Sequence, residues 1–459
     1  MNISSNFLNQ SAFIEEFTCN PITQVYPGQY LPSVPELEQY PDPNNVCNYV
    51  TKEEFQFIPK WQSQWVHWEK QCNAIIEGRY FDLTPINFDG VFTLACNLKC
   101  PHCTRQNDRK NSDTWKLNAV SNETNTLNIL QLRSIIDNIV NFQKKDFLDI
   151  VWGGGDPTCN PDTYEAMLYA KSKNIQSSFI TNGVLLDVDK LLEIEPVLVR
   201  VSLNCGTENA YNKFHGLSKN NKSFYRVIAN IEEFGIKKRM SNSKTLLGIS
   251  LIVDERNIDD SIIACKLLAQ INSKCKNAID YVLIRPVTPY SFIKNDFIEL
   301  SYDLKMKCLN VINDKLKEIL TPADIPIITL KDSFKNPPDD SFYDSSDCLA
   351  YGLFSEILCN GDIQLCSDSD GVEDYAIGNL LVDDIVDIWK SERRRTVVEK
   401  INKAKCYKKT CPFNSRGHHH NRIFHQIEQF RKKGKMEEVV QWIELLKQTT
   451  FPLNHSFFA

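Results

Sequence analysis

The chain has 459 residues, of which 42% are hydrophobic, and 52 Lys+Arg against 58 Asp+Glu leave a formal charge of −6. That length makes two or three domains. The acidic balance, with no basic stripe interleaved with aromatics, argues against a nucleic-acid partner, and no apolar run reaches membrane-spanning length. The stretch Met1–Gln10 is polar and carries no basic-then-apolar signal. The expected location is therefore cytoplasmic, where thiols stay reduced.

Residues 1–81 read as an N-terminal extension. Pro21–Pro43, rich in Pro, Tyr and Gln, is expected as extended coil. Thr51–Glu77 is expected as a helix, with Trp61, Trp65 and Trp68 on one face. That stripe suits packing against a neighbouring domain; a peptide-binding module is the sharper alternative.

A strand expected at Gly90–Leu94 runs into Cys96, Cys100 and Cys103, spaced C-x3-C-x2-C. Three thiolates can hold three irons of a cubane and leave the fourth open, whereas a cluster kept for electron transfer has four protein ligands. A zinc site or a chance spacing is the alternative, although zinc knuckles show paired C-x2-C units. The run resembles the cluster loop of the radical S-adenosylmethionine (SAM) enzymes. In that family the open iron chelates SAM, and one electron cleaves it to a 5′-deoxyadenosyl radical that abstracts a substrate hydrogen. The position before the third cysteine, usually aromatic, holds His102, which joins the cofactor-binding candidates.

Asp146–Trp152 reads as a buried strand ending in Gly153-Gly154-Gly155-Asp156-Pro157. Glycines at a strand end allow close backbone approach. The run resembles the family's glycine-rich motif, which implies contact with the methionyl amine of SAM, with Asp156 where Glu is commoner. A plain strand-to-helix turn is the alternative.

Strands and helices then alternate: strands Ile175–Thr181, Val197–Leu203, Leu246–Val253 and Ala278–Arg285, helices Phe224–Phe234 and Ile258–Gln270. Alternation argues for a parallel sheet with crossover helices, whose chemistry belongs at the C-terminal strand ends. Asn182 closes one strand. Ser202 and Asn204, two apart, are expected on one strand face and fit the family's ribose-contacting position; a polar strand end capping the next helix is the alternative. Arg285 is a candidate for a carboxylate or phosphate, or else a member of a structural ion pair. Cys205, beside that strand end, is the one thiol placed to donate a hydrogen; the other cysteines outside the cluster regions read as buried small hydrophobes.

Residues 288–347 read as a linker with helix. Then Cys348, Gly361 and Cys366 are followed by a Gly378-Asn379-Leu380 run, a helix ending in Trp389, and Cys406 and Cys411. This pattern resembles the SPASM/twitch extension of radical SAM enzymes, which holds auxiliary [4Fe–4S] clusters. Five cysteines cannot ligate two clusters fully, so one auxiliary cluster is expected on Cys348, Cys366, Cys406 and Cys411. Cys359 is the substitute ligand, or else a buried strand thiol, and a structural zinc is the alternative for the whole set. Lys390–Lys409 carries nine Lys/Arg against two Glu, a solvated helix face or a contact for an anionic substrate. His418-His419-His420 reads as an exposed loop, Arg422–Lys447 as one or two amphipathic helices, and Phe451–Ala459 as an apolar tail.

The expected architecture is α/β. A partial (β/α)6 TIM-like barrel at 82–287 leads through the linker to an iron–sulfur extension at 348–411 and a helical tail at 412–459. The resemblance implies a [4Fe–4S] cluster, SAM, one auxiliary [4Fe–4S] cluster, and an electron donor such as flavodoxin or ferredoxin. The expected substrate is a ribosomal peptide or protein, modified oxidatively or epimerised; a sugar or nucleotide derivative is the alternative. A non-catalytic metal- or RNA-binding protein is the reading from another class.

Overall fold

The computed structural model describes residues 24–26, 29–30, 69–85, 87–103, 126–142, 149–275, 278–287, 301–329, 347–367, 375–404 and 416–440. Trp61, Trp65, Trp68, Cys406, Cys411 and the tail Phe451–Ala459 lie outside them. Two short strands, β1 (Gln24–Tyr26) and β2 (Gln29–Tyr30), pair antiparallel within the expected coil. Helix α1 (Glu69–Glu77) is the described part of the expected N-terminal helix.

The other described strands form one ten-stranded sheet. Its centre is β3 (Asn87–Gly90), β4 (Asp149–Trp152), β5 (Gln176–Thr181), β6 (Leu198–Ser202), β7 (Leu246–Val253) and β8 (Tyr281–Pro286), each parallel to the next. Strand β7 shows why: the run Leu246–Val253 is almost wholly apolar and buried, as a strand covered on both faces must be. The connections carry α2 (Ile129–Phe142), α3 (Thr163–Ser172), α4 (Val188–Ile194), α5 (Glu208–Phe214), α6 (Ser223–Met240) and α7 (Ile258–Lys274). Helix α2 buries Leu132, Ile135, Ile136 and Ile139, an i, i+3, i+4, i+7 stripe. The side chains of Asp187 and Thr207 accept the N–H groups of Lys190 and Ala210 at the starts of α4 and α5, each cap worth about 1 kcal/mol.

The sheet extends beyond the six expected strands. The segment expected as a linker contributes α8 (Tyr302–Val311) and β9 (Ile327–Thr329), which pairs parallel with β8. On the other side β10 (Phe354–Ile357) pairs parallel with β3, and β11 (Asp362–Gln364) and β12 (Ala376–Asn379) follow antiparallel. The first strand of the C-terminal extension is thus hydrogen-bonded to the strand that carries the cysteine loop. The extension also shares the main hydrophobic core, through Ile357, Ile363, Ile388 and Trp389.

Helices α9 (Ile385–Lys390) and α10 (Glu392–Lys403) fix it further. The Trp389 ring packs edge-on against Phe142, and its Nε1–H donates to Leu83 O at 2.8 Å. Arg394 is fully buried, donating from Nη1 to Phe81 O and Trp389 O, both at 2.8 Å, between the rings of Phe81 and Trp389.

Two expectations on this frame need correction. The strand expected at Gly90–Leu94 ends at Gly90. Phe92 folds back over Gly90, which has no Cβ in the way, and Val91 N–H turns to Ile357 O at 2.8 Å. Nor do His418–His420 form a loop: they lie in α11 (Arg416–Lys432), which is anchored by buried Asn421, Phe424, Ile427 and Phe430. Residues 436–440 form a second helical turn, beyond Gly434 with φ +70°. Among the described residues no helix is long and apolar enough to cross a membrane.

Candidate active site

Because β3 to β8 are parallel, Gly90, Trp152, Thr181, Ser202, Val253 and Pro286 end at one rim. The cysteine loop Val91–Cys103 lies across that rim, held from two sides. From one side Gly153 N–H donates to Gly90 O at 3.0 Å, Gly155 N–H to Thr93 O at 2.8 Å and Asp156 N–H to Ala95 O at 2.8 Å. Approach this close requires glycine. Gly154 has φ +108°, where a Cβ would sit 2.4 Å from Thr93 O, and one on Gly155 would sit 2.3 Å from Ala95 O. The glycines thus serve first to seat the cysteine loop, to which the N–H groups of Gly155 and Asp156 are bonded. The acceptors of the motif, its carbonyls, have the polarity an ammonium group needs.

From the other side, Lys99 N–H donates to His215 O at 3.2 Å, and a Cβ on Gly216 would lie 2.1 Å from Lys99 O. Inside the loop Leu98 is buried, its N–H reaches Cys96 Sγ at 3.4 Å, and Cys103 N–H closes a turn on Cys100 O at 3.1 Å. Cys96, Cys100 and Cys103 all remain partly exposed.

The candidates around the loop have separate places. Asp156, expected among the cofactor contacts, is buried. Its carboxylate accepts Asn182 N–H at 2.6 Å, Thr158 N–H at 3.0 Å, and the hydroxyls of Thr158 and Thr181. It joins the glycine motif to the end of β5. Burial pushes its pKa up, against the pull of those hydrogen bonds. Pro157 opens the short 3₁₀ turn that Asp156 caps. Asn182 donates to Asn97 Oδ1 at 2.8 Å, with Cys96 Sγ 3.8 Å away, and accepts Val184 N–H.

Ser202 and Asn204 do not share a strand face: β6 ends at Ser202, and Asn204 has φ +60°. Asn204 Oδ1 accepts Ile252 N–H at 2.8 Å, tying β6 to β7. Ser202 stays partly exposed at the rim, as does Arg285 on β8, opposite Ile252. His102 packs on Phe214 at 4.3 Å between centroids, and burial and then Arg256 push its pKa down to about 4. Cys205 is fully buried in the main core, and burial raises its pKa.

The sequence reading missed His215 and Tyr211. His215 Nδ1 lies 3.0 Å from Cys100 Sγ. Among the described residues the buried Tyr211 hydroxyl has no hydrogen-bond partner, and burial, then the charge of Cys100, opposes its ionisation. Their i, i+4 spacing puts both on one face of α5 and its end, the signal that was available. Arg256 was also missed. It pairs with Asp254 at the end of β7 and lies 4.9 Å over the Phe214 ring.

These residues fit an iron–sulfur cluster. Burial, opposed by the Leu98 N–H and reinforced by Asp156, Cys103 and Cys159, pushes the Cys96 thiol up to about 12. Burial, then Cys103 and Cys96, push Cys100 up as well. Cys96 and Cys100, which resist becoming anionic together, are thiols whose charge bound irons would neutralise, and cluster sulfur would give the buried Tyr211 hydroxyl an acceptor.

In the extension, Cys348 N–H donates to Asn402 Oδ1 at 2.8 Å, and Asn421 Nδ2 donates to Cys348 Sγ at 3.3 Å. Cys366 is partly exposed just past β11. Cys359 is buried with Val91, Leu94 and Leu358, but it lies in the turn after β10 and not in a strand.

Two family models match the chain: the radical SAM superfamily over residues 91–260, and an iron–sulfur cluster-binding SPASM domain over 348–412. The chain belongs to the radical SAM superfamily and carries a SPASM-type extension. It is 30% identical over 171 residues to the Fe-coproporphyrin III synthase of Methanosarcina barkeri, and 26% over 177 residues to the mycofactocin maturase MftC of Mycobacterium tuberculosis. Those alignments span 37% and 38% of this chain but only 37% and 39% of the relatives. Among solved structures, Streptococcus suis SuiB bound to precursor peptide SuiA superimposes over 75% of both chains, with a TM-score of 0.52 and 17% identity. That likeness supports the partial-barrel fold. The family's cofactors, [4Fe–4S] clusters and SAM, match the residues at the rim. Membership of this enzyme superfamily displaces the reading as a non-catalytic metal- or RNA-binding protein.

Proposed function

We propose that the protein is a radical SAM enzyme that oxidatively modifies a ribosomally made peptide. The observation that carries it is the pairing of β10 with β3. It builds the extension, with Cys348 and Cys366, onto the strand that leads into Cys96, Cys100 and Cys103. A site joined in this way can deliver an electron to SAM and take a second from the substrate, as an oxidation requires. Similarity to a mycofactocin maturase, and the fold shared with SuiB, support a peptide as substrate.

When bound, the reduced cluster and SAM supply a 5′-deoxyadenosyl radical; the protein supplies position and shelter. Cys96, Cys100 and Cys103 hold the cluster. The carbonyls of Gly153–Gly155 would receive the amino group of SAM, and Ser202 at the end of β6 would contact its ribose. Asp156 and Asn182 keep loop and motif in register. Cys348, Cys366, Cys406 and Cys411 hold one auxiliary cluster, and a flavodoxin or ferredoxin delivers electrons. Incubating the reconstituted protein with SAM, dithionite and synthetic peptides encoded beside its gene tests this. A peptide lighter by a pair of hydrogens is expected. SAM turnover that leaves every such peptide unchanged contradicts the peptide reading.

A small-molecule substrate is the second reading, favoured by the 30% identity over 171 residues to an Fe-coproporphyrin III synthase.

A further inference from the structure

The His215 ring occupies a built position. His215 caps the C-terminus of α5, its own N–H donating to Tyr211 O at 2.9 Å. Its carbonyl accepts Lys99 N–H, and Gly216, at φ +65°, lets the turn lie against Lys99 O. Rings of Tyr211 and Phe214 pack on it at 4.3 and 5.4 Å between centroids. The residue is 2% exposed. Backbone and rings therefore hold Nδ1 at 3.0 Å from Cys100 Sγ.

The proton assignment follows. A metal-bound thiolate has no proton to give, so the hydrogen of this contact sits on His215 Nδ1. Among the described residues Nε2 makes no hydrogen bond of good geometry, although the Leu203 backbone acts on the ring; the His215→Gln variant, which reaches the Nε2 position, separates the two nitrogens.

We infer that His215 is a positioning residue that donates a hydrogen bond to the Cys100 thiolate and so raises the reduction potential of the SAM-binding cluster. It rests on the reading of Cys96, Cys100 and Cys103 as that cluster's ligands. Reduction adds negative charge, which falls partly on the thiolate sulfurs, and a hydrogen-bond donor stabilises the reduced state more than the oxidised one.

The test is an EPR-monitored redox titration of anaerobically reconstituted full-length protein, following the signal that changes when SAM is added. His215→Leu removes the donor. His215→Gln keeps an amide but reaches the Nε2 position, and His215→Asn returns a donor near Nδ1. The Leu and Gln variants are expected to hold about ten-fold less reduced cluster at a fixed potential, a shift of about 59 mV downward for one electron. The Asn variant is expected near wild type. Leu and Gln variants at the wild-type potential overturn the inference, as does an Asn variant that falls with them. Iron content unchanged by Cys100→Ala overturns the cluster reading beneath it, and this inference with it.

Discussion

The backbone N–H of Asn182 donates to the carboxylate of Asp156 at 2.6 Å, tying the end of β5 to the glycine motif after β4. Both carboxylate oxygens of Asp156 accept backbone N–H groups, from Thr158 and from Asn182. An asparagine there turns an NH2 group toward one of them. Asp156→Asn is therefore expected to destabilise the protein almost as much as Asp156→Ala, by about 3 kcal/mol in denaturant unfolding. An Asn variant of wild-type stability would show that the site holds a protonated acid.

Gly155→Ala places a Cβ against the Ala95 carbonyl. The cysteine loop must retreat from the rim, while the core beneath is untouched. The expected result is a folded protein with far less iron at Cys96, Cys100 and Cys103, read by iron analysis beside circular dichroism. Full iron loading would contradict the packing.

Arg394 joins the extension to Phe81, just before the barrel. Arg394→Ala leaves the carbonyls of Phe81 and Trp389 without their donor and opens a cavity between two rings. It is expected to cost about 3 kcal/mol or more in thermal or denaturant unfolding. Unchanged melting would mean that the extension docks without it.

Metal content separates one auxiliary cluster from two. With one, reconstituted protein holds about eight irons per chain and Cys348→Ala about four. About twelve irons would contradict the four-cysteine set.

The parts legible in the sequence were local. Cys96-x3-Cys100-x2-Cys103 and the Gly153–Gly155 run are contiguous, and β7 has the bounds its apolar run predicts. What was missed depends on partners distant in sequence. His215 meets Cys100 across 115 positions, Arg394 meets Phe81 across 313, and Asn421 meets Cys348 across 73. Strand β3 was misplaced for the same reason. Val91–Leu94 is the more apolar run, yet Asn87–Gly90 is the strand because β10 pairs with it. Asn204 misled because its left-handed backbone breaks the two-residue alternation of a strand.

The most direct measurement is 5′-deoxyadenosine release from SAM by the anaerobically reconstituted, dithionite-reduced protein, beside Cys100→Ala. Release by the wild type alone is predicted. Equal release by both, or zinc in place of iron at the three cysteines with no release, would contradict radical SAM chemistry at this rim.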